Sequence, residues 1–321
     1  MVKNISRYFA FVIIVLTSSA MLYAEGALTN GFEFLNTDYN ARSSAMGRSF
    51  LTMRGDISGM FVNPAGMAYT ENKQYAFNYT NYLLDVNAGF AGYAHILPKF
   101  GILSVGLIYM DYGSFKETDE YAVETGQTFN AGDIAISLGL ANHLGQGFSY
   151  GVNLKYIHSK IDQYSADALA LDFSLLYEAS FQKDLFFVAT VQNLGTNFNY
   201  YGDVKEPLPL NIGLGFSKKL AHLPLELAFS FNDLNGSSDT FGEHFKSFSV
   251  GGEFRISEML RLRLGYNNAL RDGLNTTNDV KFSGVSAGFG LLWRTFRFDY
   301  AYSNFGMLGS THRFGFMGYI P

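Results

Sequence analysis

At 321 residues, 17% aromatic and 16% charged, the chain carries more rings and less charge than a soluble domain, in which about a quarter of residues are charged. Its net charge of -5 supplies no basic stripe to meet phosphates, which excludes a nucleic-acid binder. The lack of cysteine excludes disulfides and a lipid-modified cysteine, and a mean hydropathy of +0.04 with no long apolar run beyond residue 24 excludes a helical membrane protein.

The chain opens on Lys3 and Arg7, an apolar run from Tyr8 to Leu16, and the small residues Thr17, Ser18, Ser19 and Ala20. Positive, apolar and small, in that order, reads as a secretory signal with cleavage after Ala24. The alternative, a transmembrane anchor, wants ~20 apolar residues in a row, more than this core supplies. The expectation is a signal peptide over residues 1–24 and a mature protein that leaves the cytoplasm.

Residues 40–69 look like nothing else in the chain. Small residues, glycines and Pro64 make a compact, irregular stretch with too little apolar surface to fold alone. Pro64 disfavours the helical region for Asn63, which predicts a break between two short turns. Asp56 is placed to cap the first turn, over residues 57–61, and residues 65–68 form the second.

From Lys73 onward apolar residues alternate with small or polar ones. Leu260, Leu262, Leu264 and Tyr266 oppose Arg261, Arg263, Gly265 and Asn267; Phe296, Phe298, Tyr300 and Tyr302 oppose Thr295, Arg297, Asp299 and Ala301. The same period runs through residues 134–140, 148–156, 169–177, 210–216, 225–231 and 248–256, and more weakly through 75–79, 86–96, 103–109, 185–191, 285–291 and 312–320. This predicts about fourteen strands, several near the ~9–11 residues that cross a bilayer when tilted.

A soluble β-sandwich or a propeller also alternates, so connection length has to decide. Links after even-numbered strands are short (98–99, 142–146, 179–183, 218–222, 257–258, 293–294), whereas several after odd-numbered strands are long (112–130, 194–206, 232–243, 268–282). Short turns at one end and long loops at the other characterise outer-membrane barrels, and an even strand number leaves both chain ends on the short-turn, periplasmic side. The small polar face then lines the interior, the Leu/Phe/Tyr face meets outer-membrane lipid, and the lone Trp293 joins an interfacial girdle. The fold predicted is all-β: a transmembrane antiparallel barrel over residues 73–321 with an N-terminal hatch over 25–72. About fourteen strands leave a lumen, and residues 25–72, starting at the periplasmic mouth, can fold up into it, where the polar inner face satisfies irregular backbone.

The run Ala-Arg-Ser-Ser-Ala-Met-Gly from Ala41, the run Met-Phe-Val-Asn-Pro-Ala-Gly-Met-Ala from Met60, Val191-Gln192-Asn193-Leu194-Gly195, and the closing Phe298-Asp299-Tyr300-Ala301-Tyr302-Ser303 with Gly306 and the run from Gly309 to Phe314 together resemble the PorV/PorQ family, a branch of FadL-like outer-membrane proteins. The resemblance spans the mature chain and is most specific at its ends. It implies a fourteen-stranded barrel whose hatch carries Asn63, Pro64, Ala65 and Gly66 as its gating segment. The function it implies first is transport of hydrophobic or amphipathic small molecules such as long-chain fatty acids; the alternative is a component of type IX secretion that binds exported cargo proteins.

No enzyme constellation emerges. Gly147-Phe148-Ser149-Tyr150-Gly151 matches G-x-S-x-G, but that pattern needs a strand-to-helix elbow, and here it begins an alternating strand. The six histidines are scattered with no metal-ligand spacing. The loop carboxylates Asp111, Glu117, Asp119, Glu120 and Glu124 read as a solvated acidic loop rather than a cation site. The expectation is therefore no catalytic residue, no metal and no cofactor.

The predicted lumen face is richer. Arg255, Arg261, Arg263, Arg297 and Asp299 fall on the polar side of the late strands, where they can hold the hatch, steer an anionic headgroup, or simply pair with lumen acids such as Glu253. Arg42, Arg48, Arg54 and Asp56 of the hatch can join them. Met46, Phe50, Met60, Phe61 and Met67 are candidates for a substrate pocket, with packing of the hatch against the wall as the alternative.

Overall fold

The structure, a computed structural model, describes residues 31–202, 205–236, 243–274 and 282–320. The expected signal peptide, 1–24, lies outside them. Fourteen strands follow one another: β1 (Lys73–Asn81), β2 (Asn87–Leu97), β3 (Gly101–Thr118), β4 (Glu124–Gly145), β5 (Phe148–Ile161), β6 (Tyr164–Glu178), β7 (Leu185–Asn199), β8 (Asn211–Lys219), β9 (Leu225–Phe231), β10 (Phe248–Arg255), β11 (Leu260–Asn267), β12 (Val285–Trp293), β13 (Phe296–Asn304) and β14 (Ser310–Ile320). Each pairs antiparallel with its neighbours, and β1 pairs with β14 (Phe77 opposite Phe316) to close the barrel. No described helix is long and apolar enough to cross a membrane.

The period of two sorts the side chains as the pleat demands. Leu262 and Leu264 are 43% and 60% exposed on the outer face, while Arg263 between them is 1% exposed inside. In β1, Phe77 and Tyr79 face out, and Gln74, Ala76, Asn78 and Thr80 are buried. An apolar outer band around a closed barrel places the protein in a bacterial outer membrane. Trp293 sits at the short β12–β13 turn, half exposed, with the Arg294 guanidinium 5.2 Å from its ring, a position suited to the interface.

Two expected long links are partly strand. β7 runs on to Asn199, into the link expected over 194–206. The larger departure comes earlier in the chain. Residues 112–130, expected as a long loop, are mostly paired: β3 and β4 continue as a hairpin until Thr118 meets Glu124, with Phe115 stacked on Phe129 at 5.5 Å. Beyond the bilayer both faces of a ribbon meet water, so apolar alternation fades although backbone pairing persists. The result is a tall wall, β3 to β7, of 14 to 22 residues per strand, facing a low one of 7 to 9 residues from β8 to β13.

Residues 31–72 fill the lumen. They comprise a helix, α1 (Ala41–Ala45), and 3-10 turns at Glu33–Asn36, Ile57–Gly59 and Pro64–Tyr69. Asn40 caps α1, its side-chain oxygen accepting from the Arg42 and Ser43 N–H groups; Asp56 caps Ile57–Gly59 by accepting from Ser58 N–H at 3.1 Å. Asn63 is extended (φ -149°, ψ 90°) ahead of Pro64, and its side chain caps the third turn, as Pro demands of its predecessor. The direction of travel differs from expectation. Gly31 donates to the Pro207 carbonyl, in the long β7–β8 connection, so the described hatch starts at the long-loop end and descends to β1 rather than rising from the periplasmic mouth.

Small wall residues make the space. Phe34, Ile57, Met60 and Met67 pack on inward alanines 76, 88, 94, 135 and 168, each large side chain contributing roughly 1.5–3 kcal/mol by burial. Wall glycines 151, 251 and 265 touch hatch backbone. A Cβ on Gly265 would stand 2.0 Å from the Met46 carbonyl carbon, and one on Gly151 2.1 Å from that of Pro64. Gly265→Val is therefore expected to displace the end of α1 at a cost of about 1–3 kcal/mol and to let the barrel conduct ions in planar bilayers. A variant as silent as the parent would show that the hatch does not bear on this glycine.

Candidate functional site

The hatch and the wall meet in a closed ring of six charges. Arg42, in α1, clasps Glu253 of β10 in bidentate fashion (2.8 and 2.9 Å). Glu253 also accepts from Arg263 of β11 (2.7 Å), which reaches Asp299 of β13 (2.6 Å). Asp299 accepts from Arg297 (2.6 Å), and Arg297 donates to Asp56 of the hatch (2.5 Å), which lies 3.5 Å from Arg42. All six side chains are at least 87% buried. Buried charges are tolerable only when paired and fully hydrogen-bonded, and here three guanidiniums meet three carboxylates. For Asp56, burial favours the neutral acid, but Arg297 and Arg42 outweigh it and hold the carboxyl below its ordinary range.

Three of the five charges expected in the lumen (Arg263, Arg297 and Asp299) are in this ring, joined by Arg42, Asp56 and Glu253. Arg255 and Arg261 are not. They stand opposite each other at the short-turn end of β10 and β11, Arg255 exposed and Arg261 turned back onto the Ser257 and Leu260 carbonyls. Arg54 makes a separate contact, bonding Glu226 at 2.7 Å with its guanidinium 3.7 Å from the Phe186 ring centre. Arg48 makes no ion pair among the described residues and borders the cavities above the hatch.

The segment Asn63 to Gly66 is clamped. Asn63 donates to the Leu51 carbonyl (2.8 Å) and accepts from Gly66 N–H (3.2 Å), while Ala65 N–H donates to Ser174 of β6 (2.6 Å). Gln74, at the start of β1, grips the hatch from the other side, donating to the Gly55 carbonyl and accepting from Ile57 N–H. Met46, Phe50, Met60 and Met67 are wholly buried between hatch and wall and border none of the described cavities; Phe61 lines the smaller of the two above the hatch.

Sequence reasoning missed a second buried group. Lys155 of β5 pairs with Asp172 of β6 at 2.6 Å, Asn153 donates to Asp172 (3.1 Å) and to the hatch carbonyl of Met60 (2.8 Å), and a bulge in β7 brings Asn193 N–H to Asp172 (2.9 Å). The signal was present: a lysine and an aspartate on the inward faces of adjacent strands. The G-x-S-x-G match falls at the start of β5 with no elbow. Ser149 does lie 2.8 Å from His143 Nδ1 but is 1% exposed at a strand face, closed to any substrate. No group of metal-ligating side chains forms among the described residues.

Above the hatch, toward the long loops, lies a cavity of about 420 Å³, and next to it a smaller one of about 40 Å³. Phe34, Met110, Tyr82, Tyr112 and Phe305 give the larger cavity an apolar side; serines, asparagines and charged groups give it a polar one. The two cavities share Asp38, Arg48 and Asn232, and the smaller reaches Phe61 and Phe90. Beneath them the ring and the clamped Asn63 segment fill the lumen.

This architecture is similar to that of three solved structures. The toluene transporter TbuX of Ralstonia pickettii is 10% identical, with 88% of this chain and 98% of that one covered and a TM-score of 0.59. The toluene transporter TodX of Pseudomonas putida is 11% identical over 87% and 96%, with a TM-score of 0.56. A FadL homologue of Pseudomonas aeruginosa is 11% identical over 87% and 97%, with a TM-score of 0.52. At these identities the likeness is one of fold. No family model and no curated protein matches the chain, so the resemblance to PorV/PorQ rests on the residues quoted for it.

Proposed function

We propose that the protein passes hydrophobic or amphipathic small molecules, long-chain fatty acids among them, across the outer membrane. The ligand enters at the long-loop end, rests in the cavity, and moves inward when the hatch shifts about Asn63, Pro64, Ala65 and Gly66. The observation that carries this reading is a half-apolar cavity of about 420 Å³ resting on an irregular segment that fills the lumen beneath it; volumes of roughly 300–1,000 Å³ suit small-molecule sites. That two barrels of similar fold are toluene transporters supports it. Met46, Met60 and Met67 supply side chains able to repack as the hatch moves.

The chain has no cysteine of its own, which makes a locking test clean. A Cβ on Gly315 would lie 3.4 Å from that of Ala41, close to the ~3.5–4.5 Å of a disulfide. In proteoliposomes, the Ala41→Cys, Gly315→Cys protein is expected to take up labelled palmitate when reduced, to stop when oxidised, and to recover with a reductant. Undiminished uptake by the oxidised form would remove the moving hatch from the mechanism. Uptake of palmitate by the parent no faster than by protein-free vesicles would remove fatty acids from the transported class.

A further inference from the structure

Two residues that line the larger cavity each hold a side-chain oxygen that the fold leaves without a partner. Asp38 is 6% exposed; its Oδ1 accepts from Asn40 N–H, but its Oδ2 has no partner. Ser44, 3% exposed on α1, likewise has no partner for its hydroxyl. Both line the cavity. A buried acceptor left unmade costs about 1–3 kcal/mol, and these two oxygens, buried and unpaired, belong to residues that line one space, so that a turn of either side chain presents its oxygen to it.

The charges around the cavity say what kind of head would complete them. Glu33, Asp38 and Asp233 border it against Arg48 and Arg313. Arg313 is engaged by the protein, its Nε on the Asp38 carbonyl (2.9 Å) and its Nη1 on Thr311 (2.6 Å). Three carboxylates against two guanidiniums give an anionic head no net attraction. A carboxylate accepts and does not donate, so Asp38 Oδ2 requires a donor. Opposite lie Phe34, Met110, Phe305, Tyr82 and Tyr112, a lining for an aromatic or short aliphatic body.

We infer that the cavity above the hatch selects amphipathic molecules whose head donates hydrogen bonds, a hydroxyl or an ammonium, over bare hydrocarbons and over carboxylates. The head sits on Asp38 and Ser44 and the body lies against Phe34 and Met110. The inference rests on the transport reading and narrows its substrate class. A site built to bond a polar group rejects the analogue that lacks it more strongly than an apolar pocket rejects an added methylene.

Three probes of one shape separate the cases: p-cresol, toluene and p-toluate, titrated calorimetrically into the full chain in nanodiscs, with empty nanodiscs as reference. The expected result is that p-cresol binds about tenfold or more tighter than either of the others, from one charge-assisted hydrogen bond. Asp38→Asn, which keeps the acceptor for Asn40 but loses the charge, is expected to narrow that preference severalfold, and Ser44→Ala to narrow it by less. Toluene or p-toluate binding as tightly as p-cresol would overturn the head-group assignment while leaving a hydrophobic channel standing. An unchanged preference in both variants would overturn the assignment to Asp38 and Ser44. Should none of the three bind above empty nanodiscs, the transport reading falls with it.

Discussion

Removal of residues 25–67 is expected to leave a barrel that inserts and stays closed but passes small solutes, turning liposome swelling from background to porin-like rates. The wall holds itself together without the hatch. Fourteen strands pair around a full circle, and the wall's share of the ring (Glu253, Arg263, Asp299 and Arg297) remains bonded in sequence when Arg42 and Asp56 are gone. What is lost is the material in the lumen. With eight strands side chains alone fill a barrel; with fourteen they do not, and inward residues such as Ala76, Ala88 and Ala135 are too small to close the gap. A deletion that swells no faster than the parent would mean that wall or loops, not the hatch, seal the lumen.

The second large effect separates two arginines that alternation treats as equals. Arg263→Ala should cost about 3–5 kcal/mol, the usual consequence of stripping one partner from a buried ion network, because Glu253 and Asp299 each lose a guanidinium within 2.7 Å. Arg261→Ala, at a half-buried position bonded only to turn carbonyls, should stay within about 0.5 kcal/mol. Urea midpoints of the two variants in lipid vesicles decide the matter. Equal midpoints would deny the ring any special part in holding the hatch.

That contrast shows what sequence periodicity can and cannot say here. Alternation places Arg261 and Arg263 on the same face and inside the barrel, and both are there. It cannot say that a step of about 6.6 Å along β11 carries a side chain from the mouth to within reach of Arg42's partner Glu253, because that reach is set by where an irregular segment runs. The strands themselves were legible because lipid on one side and a packed lumen on the other enforce a period of two; where β3 and β4 leave the bilayer, the period fades and a paired hairpin reads as a loop. The turn at Pro64 was legible from proline sterics and the cap at Asp56 from its chemistry. The cavity was not. Asp38 and Ser44 come from the hatch, Tyr82 follows β1, Met110 lies on β3 and Phe305 follows β13, and no local pattern relates them.

The ring also sets an order of events in biogenesis. Asp56 and Arg297 are 241 residues apart in the chain, Arg42 and Glu253 are 211 apart, and Asp38 and Arg313 are 275 apart. Contacts of such separation form late. The hatch is synthesised before the wall. Gln74, 19 residues from Gly55, grips it first, Asn153, Ser174 and Glu226 add holds as β5, β6 and β9 arrive, and its ring of charges closes only with β10 to β13. Since β14 closes the seam with β1 and brings Arg313 to Asp38, sealing the wall and completing the hold on what lies inside it become a single closing step.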